Sequence, residues 1–294
     1  MFTSLISLYL ATIIGNTTNL NITEAGASQF QTVLSAHAVP QTAIATGLSD
    51  PNIQASAYLS MDMRSGKVLT QKNENERRAI GSITKLITAL IVLDENNLND
   101  IVRVPDEATK VGGSIMWLAS GEKITIRDLL LGMLIPSGND AAYTLAINNA
   151  GSIEAFVTKM NIKAKKLGLT QTHFGNPAGL DVNDNYSTTA DIATLGVFAY
   201  RNAFIRYAVA IPKITVSSVN GQFKHELIST DELLTKDPRM KGLKTGHTLD
   251  AGYSFVGVAT VPNGSPILTV VLDSPNRFKE TTSLINWSIS NFTW

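Results

Sequence analysis

The sequence predicts an α+β fold: an antiparallel β-sheet flanked by helices, with a helical subdomain inserted. Three observations carry that prediction. The folded part opens on a hairpin pattern, its middle reads as a series of helices, and it closes on three β segments followed by an amphipathic helix. Consecutive strands joined by short turns pair antiparallel, because a parallel pair needs a crossover of about a dozen residues or more. The 294 residues are 44% hydrophobic, enough for one large domain or two of medium size, each with a core of its own.

Phe2 to Gly15 is uncharged and largely apolar, and the first basic residue of the chain is Arg64. That length suits the apolar region of a signal peptide better than a full membrane span. Residues 1–22 are therefore expected to be a signal peptide or N-terminal anchor, and the protein to be exported to an extracytoplasmic location. Residues 23–53 are rich in Ala, Thr, Ser and Gln, carry only Glu24 and Asp50 as charges, and contain Pro40 and Pro51. They read as a flexible spacer.

The folded domain is expected over residues 54–294. Ala55 to Met61 reads as a strand, Arg64-Ser65-Gly66-Lys67 as a turn, and Val68-Leu69-Thr70 as the returning strand. Ser82 to Asn96 carries Leu86, Ala89, Leu90 and Leu93 at helical spacing and is apolar enough to be central. Ile126, Leu129, Leu130, Met133 and Leu134 mark an amphipathic helix that Pro136 ends. A helix from Asp140 to Asn149 follows, then one from the N-cap Ser152 to Leu167, stopped by Gly168. These helices belong to a helical subdomain at about 100–200. Residues 169–187 have loop chemistry, and a helix from about Thr189 to Tyr200 follows. Lys213 to Ser217 alternates like a strand. Gly242–Thr248, Tyr253–Thr260 and Ile267–Asp273 form the expected meander, and Phe278 to Phe292 the closing helix.

The chain holds 24 basic and 24 acidic residues, so no basic field favours nucleic acid, and no nucleic-acid motif occurs. It has no cysteine, which excludes disulfides and thiolate metal sites. His37, His173, His225 and His247 lie outside any zinc motif, and nucleotide-binding glycine patterns are absent. No metal and no cofactor is expected.

Ser82-Ile83-Thr84-Lys85 places a hydroxyl and an amine three residues apart at the head of a helix, where the local field favours a developing anion. Those are parts of an activated serine nucleophile. The pattern occurs about once by chance in a chain of this length, and Ser120-Gly121-Glu122-Lys123 also fits it; that copy reads as a solvated loop. Ser137-Gly138-Asn139 sits in a turn between helices, where Ser, Gly and Asn are also ordinary turn formers. Lys244-Thr245-Gly246 lies in a predicted strand and suits a substrate carboxylate, with glycine allowing close approach; an edge-strand lysine beside a bulge is the plainer alternative. Arg277 is either a carboxylate fork or a surface arginine.

In their order, S-x-x-K, S-x-N and K-T-G match the signature of β-lactamases and penicillin-binding proteins. Over about residues 54–294 the chain resembles the low-molecular-mass penicillin-binding proteins, the serine-type D-alanyl-D-alanine carboxypeptidases. The likeness extends through Ala79 to Leu86, Gly112-Gly113-Ser114, Leu134 to Ala142, Asn176-Pro177, Gly179-Leu180-Asp181 and Gly242 to Thr248. It implies a β-lactamase/transpeptidase-like fold with its active site between the sheet and the helical subdomain. It also implies that Ser82 is the nucleophile, Lys85 its base, Ser137 a proton relay and Asn139 an orienting group. Lys244, Thr245, Gly246 and His247 would bind substrate with Arg277 assisting, and the Ser82 and His247 amides would form the oxyanion hole. The implied partners are peptidoglycan stem peptides ending in D-Ala-D-Ala, with β-lactams as covalent inhibitors.

Many such proteins continue into a C-terminal β-rich domain and an amphipathic anchor. This sequence stops at Trp294 after the closing helix, so no C-terminal β domain is expected, and membrane attachment only through the N-terminal segment. A DD-endopeptidase would use the same residues. A β-lactamase would need a deacylating glutamate, and residues 169–191 contain no Glu. A penicillin sensor with a dead site would be marked by a broken motif, and all three are intact.

Overall fold

The computed structural model describes residues 41–42, 48–182 and 184–294. The expected signal peptide or anchor at 1–22 lies outside the described residues, as does most of the 23–53 spacer. In chain order the strands are β1 (Gln41–Thr42), β2 (Ala57–Asp62), β3 (Val68–Lys72), β4 (Ile101–Arg103), β5 (Lys123–Thr125), β6 (Lys213–Ser217), β7 (Lys224–Ile228), β8 (Met240–Thr248), β9 (Gly252–Thr260), β10 (Pro266–Ser274) and β11 (Phe292–Thr293). The helices are α1 (Lys85–Glu95), α2 (Ile126–Leu134), α3 (Asn139–Ala150), α4 (Ile153–Lys166), α5 (Thr189–Arg201), α6 (Ala203–Val209), α7 (Leu233–Lys236) and α8 (Arg277–Asn291).

The main sheet is antiparallel in the order β3-β2-β10-β9-β8. The expected meander β8-β9-β10 is its larger part, and the N-terminal hairpin β2–β3 adds to the free side of β10. Both faces of the sheet are covered. Along β9, Val256 and Val258 join the core shared with α1, α2 and α3, while Phe255 and Ala259 join Ile285 of α8 on the other face. On β10, Leu268, Val270 and Leu272 point one way and Ile267 the other. This is the period-2 geometry of a strand buried on both sides, and it explains why these segments read as continuous apolar runs. Helix α5 lies against the sheet at Gly196, where a Cβ would stand 2.7 Å from Leu268 Cδ1.

The chain joins this body before Gln54. β1 pairs antiparallel with β11, Ile53 is buried with Leu284, and Trp287 Nε1 donates to Ser49 O at 2.9 Å. Other departures from expectation have local causes. β7 alternates exposed and buried residues, but one of its inward residues is His225, so the pattern is not visibly apolar. α6 spans too few residues for periodicity to show, and is marked instead by its cap: Asn202 Oδ1 accepts the N–H of Phe204 and Ile205. The helix expected from Ser82 starts as a 3₁₀ turn, Gly81–Thr84, before α1. Among the described residues no helix is long and apolar enough to cross a membrane.

Candidate active site

The 3₁₀ turn sets the first piece of geometry. Residues three apart eclipse one another on such a turn, and Lys85 Nζ donates to Ser82 Oγ at 2.7 Å. The same amine donates to Asn139 Oδ1 at 2.7 Å and to Ala178 O at 2.8 Å. An ammonium has three donors and no acceptor, so all of its hydrogens are spoken for by groups from three parts of the chain. As a neutral amine it keeps two donors for Asn139 and Ala178 and turns a lone pair towards the Ser82 hydroxyl. Lys85 is fully buried. Burial, and then the nearby charge of Lys244, hold its pKa well below the usual lysine value, with Asp140 opposing.

Asn139 opens α3 and ties it to the preceding loop. Its Nδ2 donates to Gly112 O at 2.7 Å and its backbone N–H to Ser114 O at 2.7 Å. Asp140 continues the strap, accepting the N–H of Met116 and of Leu118. Ser137 holds a left-handed backbone, φ 66°, and its buried hydroxyl has no hydrogen-bond partner in the structure. A strained backbone and an unmatched buried donor in one residue are features that structure retains at working sites.

β8 supplies the opposite wall. Lys244 and Thr245 are buried. Lys244 Nζ donates to Thr245 O at 3.2 Å, and the Thr245 and Thr230 hydroxyls share a hydrogen bond at 2.6 Å. Burial and the Arg277 charge bring the Lys244 pKa down to about 7, with Asp231 opposing. Gly246 is the close-approach residue: a Cβ there would sit 2.6 Å from Ile80 O. A Cβ on Gly81 would sit 3.1 Å from His247 N, so the His247 amide lies beside the Ser82 turn. The His247 ring stacks on Tyr253 with centroids 4.3 Å apart. Arg277 Nη1 donates to Gly246 O at 2.9 Å, bracing this strand, and its guanidinium lies over the Tyr253 and Phe278 rings.

Between these walls is a cleft of about 450 Å³, lined by Ser82, Gly113, Ser114, Asn139, Gly179 and His247 among others. The structure therefore brings Ser82, Lys85 and Asn139 into direct contact and sets Lys244 close enough for its charge to act on Lys85. Gly246 and His247 flank the serine turn, and Arg277 is tied to the same strand through the Gly246 carbonyl. Ser120 is not part of this cluster. Ser120 and Lys123 are exposed, as expected of a solvated loop, but Glu122 between them is buried, with its carboxylate 2.8 Å from His225 Nε2.

Sequence reasoning missed two contributors. Asp231 is buried next to Thr230, accepts the Leu233 N–H at 2.9 Å, and leaves Oδ2 without a partner. Burial raises its pKa to about 6. Nothing in the sequence around Asp231 separates it from ordinary helix-capping chemistry. The other is the turn at Asn176: Asn176-Pro177 and Gly179-Leu180-Asp181 belong to the resemblance, but the residues themselves read only as a loop, with no role assigned to them.

A family model described as D-alanyl-D-alanine carboxypeptidase matches residues 44–276. The chain is 35% identical over 257 residues to D-alanyl-D-alanine carboxypeptidase DacC of Escherichia coli, covering 82% of this chain and 63% of that protein. It is 32% identical over 265 residues to a D-alanyl-D-alanine carboxypeptidase of a Streptomyces species, covering 84% of this chain and 91% of that one. A crystal structure of a Streptomyces DD-transpeptidase superposes with a TM-score of 0.78 at 31% identity, covering 83% of this chain and all of the other. The chain thus spans less than two thirds of the Escherichia coli relative and nearly the whole of the Streptomyces one.

Proposed function

The chain belongs to the D-alanyl-D-alanine carboxypeptidase family, and from that premise we propose that it is a serine DD-carboxypeptidase. It removes the terminal D-alanine from peptidoglycan stem pentapeptides through an acyl-enzyme on Ser82. One observation carries the reading: a fully buried Lys85 amine bonded at once to Ser82, Asn139 and the Ala178 carbonyl. A hydroxyl in contact with a buried amine of lowered pKa is an activated nucleophile, because the amine can take its proton.

In this scheme the Ser82 hydroxyl attacks the carbonyl between the two D-alanines as its proton passes to Lys85. The backbone N–H groups of Ser82 and His247 take the developing oxyanion. Collapse breaks the peptide C–N bond, and the proton passes through the free Ser137 hydroxyl to the departing amine. Water then cleaves the ester. Lys244, Thr245 and Arg277 hold the substrate's terminal carboxylate, with Gly246 letting an extended peptide lie against β8. Penicillins enter as acylating mimics and leave a long-lived ester at the same serine. Because the substrate belongs to the cell wall, the proposed site of action is extracytoplasmic.

Incubating the protein with a D-Ala-D-Ala pentapeptide, a cross-linked muropeptide and a penicillin tests this directly. D-alanine release with slow penicillin turnover is expected. Dimer cleavage without D-alanine release would reassign it as an endopeptidase, rapid penicillin turnover as a β-lactamase, and no reaction with any of the three would overturn the reading.

A pH dependence follows from the carboxylate clamp. Lys244 loses its proton as pH rises through about 7, and with it the attraction for the substrate carboxylate. KM for the pentapeptide should therefore climb above that pH. The Asp231 charge helps to keep Lys244 protonated, so Asp231→Asn should move the climb to lower pH. Superimposable KM profiles for the two proteins would show that Asp231 does not act on Lys244.

A further inference from the structure

The loop that follows α4 is fixed at its centre by one buried side chain. Asn176 Oδ1 accepts the backbone N–H of Ala178 at 3.1 Å, of Gly179 at 2.7 Å and of Leu180 at 3.0 Å, and its Nδ2 donates to Leu180 O at 2.9 Å. An amide oxygen has two lone pairs, so these N–H groups use its full capacity and close the turn around it. At 5% exposure, Asn176 is shielded from competing water.

Two parts of that turn face the reactive pair. The Ala178 carbonyl accepts from Lys85 Nζ at 2.8 Å. Gly179, with φ 80°, lies so close to the serine turn that a Cβ on it would be 1.8 Å from Gly81 O. The Pro177 carbonyl also accepts from Thr88 Oγ1 at 2.8 Å, pinning the turn to α1.

We propose that Asn176 is a positioning residue of the acyl-transfer site. It folds the 176–180 turn so that the Ala178 carbonyl holds the Lys85 amine and Gly179 braces the turn bearing Ser82. The catalytic meaning of this rests on the function proposed above; the placement of Lys85 does not. Lys85 is faced by the charges of Lys244 from β8 and Asp140 from α3, with Asp181 lining the same cleft. The turn contributes a neutral carbonyl to that balance, and a new charge placed at residue 176 would disturb it.

The test compares the full chain with Asn176→Asp and Asn176→Ala. Asp keeps the acceptor for the three N–H groups but adds an anion near Lys85; Ala removes the centre of the turn. Titration of Lys85, followed through its Cε chemical shift, is measured beside the rate of Ser82 acylation by a fluorescent penicillin across pH. In Asn176→Asp the Lys85 titration and the acid limb of acylation should both move up by about one pH unit or more, because the added anion favours the ammonium. In Asn176→Ala acylation should fall about 100-fold, the scale of a small misplacement of reacting groups. A Lys85 titration in Asn176→Asp that superimposes on the parent would overturn the proposal, as would an Asn176→Ala protein acylated at the parent rate. If Asn176→Ala does not fold, Asn176→Asp decides alone. If the parent is never acylated, the functional reading falls, and the Lys85 titration still decides the role of Asn176.

Discussion

Ser82→Ala is expected to abolish covalent labelling by a fluorescent penicillin and to reduce D-alanine release to background. Removing the nucleophile of an acyl-transfer site of this kind costs on the order of 10⁶ in turnover. Stability should change little. Ser82 is only half-buried, and its hydroxyl accepts from Lys85, which keeps Asn139 and Ala178 as acceptors when that hydroxyl is removed. A lysine-assisted serine is distinguished by this split between activity and melting temperature. Ser120→Ala is the internal control, since it removes the hydroxyl of the other S-x-x-K and should leave labelling unchanged. Labelling of the Ser82→Ala protein at another residue would place the nucleophile elsewhere.

Much of the fold was legible because its strongest signals are local. The meander and its turns, the capped helix after Ser152 and the breaker at Pro136 each occupy a short stretch of sequence. Ser152 Oγ does accept the Ala155 N–H at 3.1 Å, as a side-chain cap should. What escaped depends on partners distant in sequence. β7 reads as polar because its buried His225 is satisfied by the Met116 carbonyl and by Glu122. The same pairing buries Glu122, a residue whose turn-like neighbours Ser120 and Gly121 suggest solvent. A buried, hydrogen-bonded pair of polar side chains is invisible to hydrophobic periodicity, since each partner alone looks like a surface residue.

The site divides along the same line. Ser82 and Lys85 are three residues apart, and Lys244 to His247 are contiguous, so their grouping could be read directly. That Asn139 touches Lys85 needs the strap from α3 to Gly112 and Ser114, which sequence spacing does not encode. Asn176 and Asp231 act through backbone groups and charge rather than by contact with Ser82. Their residue types are also those expected of any turn or cap. The terminal boundary is a similar case: the polar stretch before Gln54 lacks periodicity, yet Ile53 packs on Leu284 and the Ser49 carbonyl accepts from Trp287.

Lys85→Ala should slow acylation of Ser82 by roughly 10²–10⁴-fold, the contribution of a positioned general base. The structural cost is separate. Asn139 Oδ1 and the Ala178 carbonyl would lose a buried donor, at about 1–3 kcal/mol each where water cannot replace it. Removal of a desolvated amine beside Lys244 offsets part of that cost, so the variant should fold with a lower melting temperature. Loss of rate in this variant alone does not tell a base from a cation that merely stabilises charge. Lys85→Arg does, because a guanidinium keeps the donors and the charge but does not give up its proton near neutral pH. Two ammonium groups buried in one site repel, and Lys85, fully buried and facing Lys244, is the one pushed towards the neutral form. Asp140 favours the charge of Lys85 as Asp231 favours that of Lys244, but Lys244 keeps a pKa of about 7 while Lys85 falls well below the usual lysine value. The amine at Ser82 is therefore free to accept a proton while the one on β8 attracts a carboxylate. On this division of labour Lys85→Arg should be as slow as Lys85→Ala, although it restores the positive charge. If penicillin acylates the arginine variant within tenfold of the parent rate, Lys85 serves as a fixed cation and the base must be sought in another group.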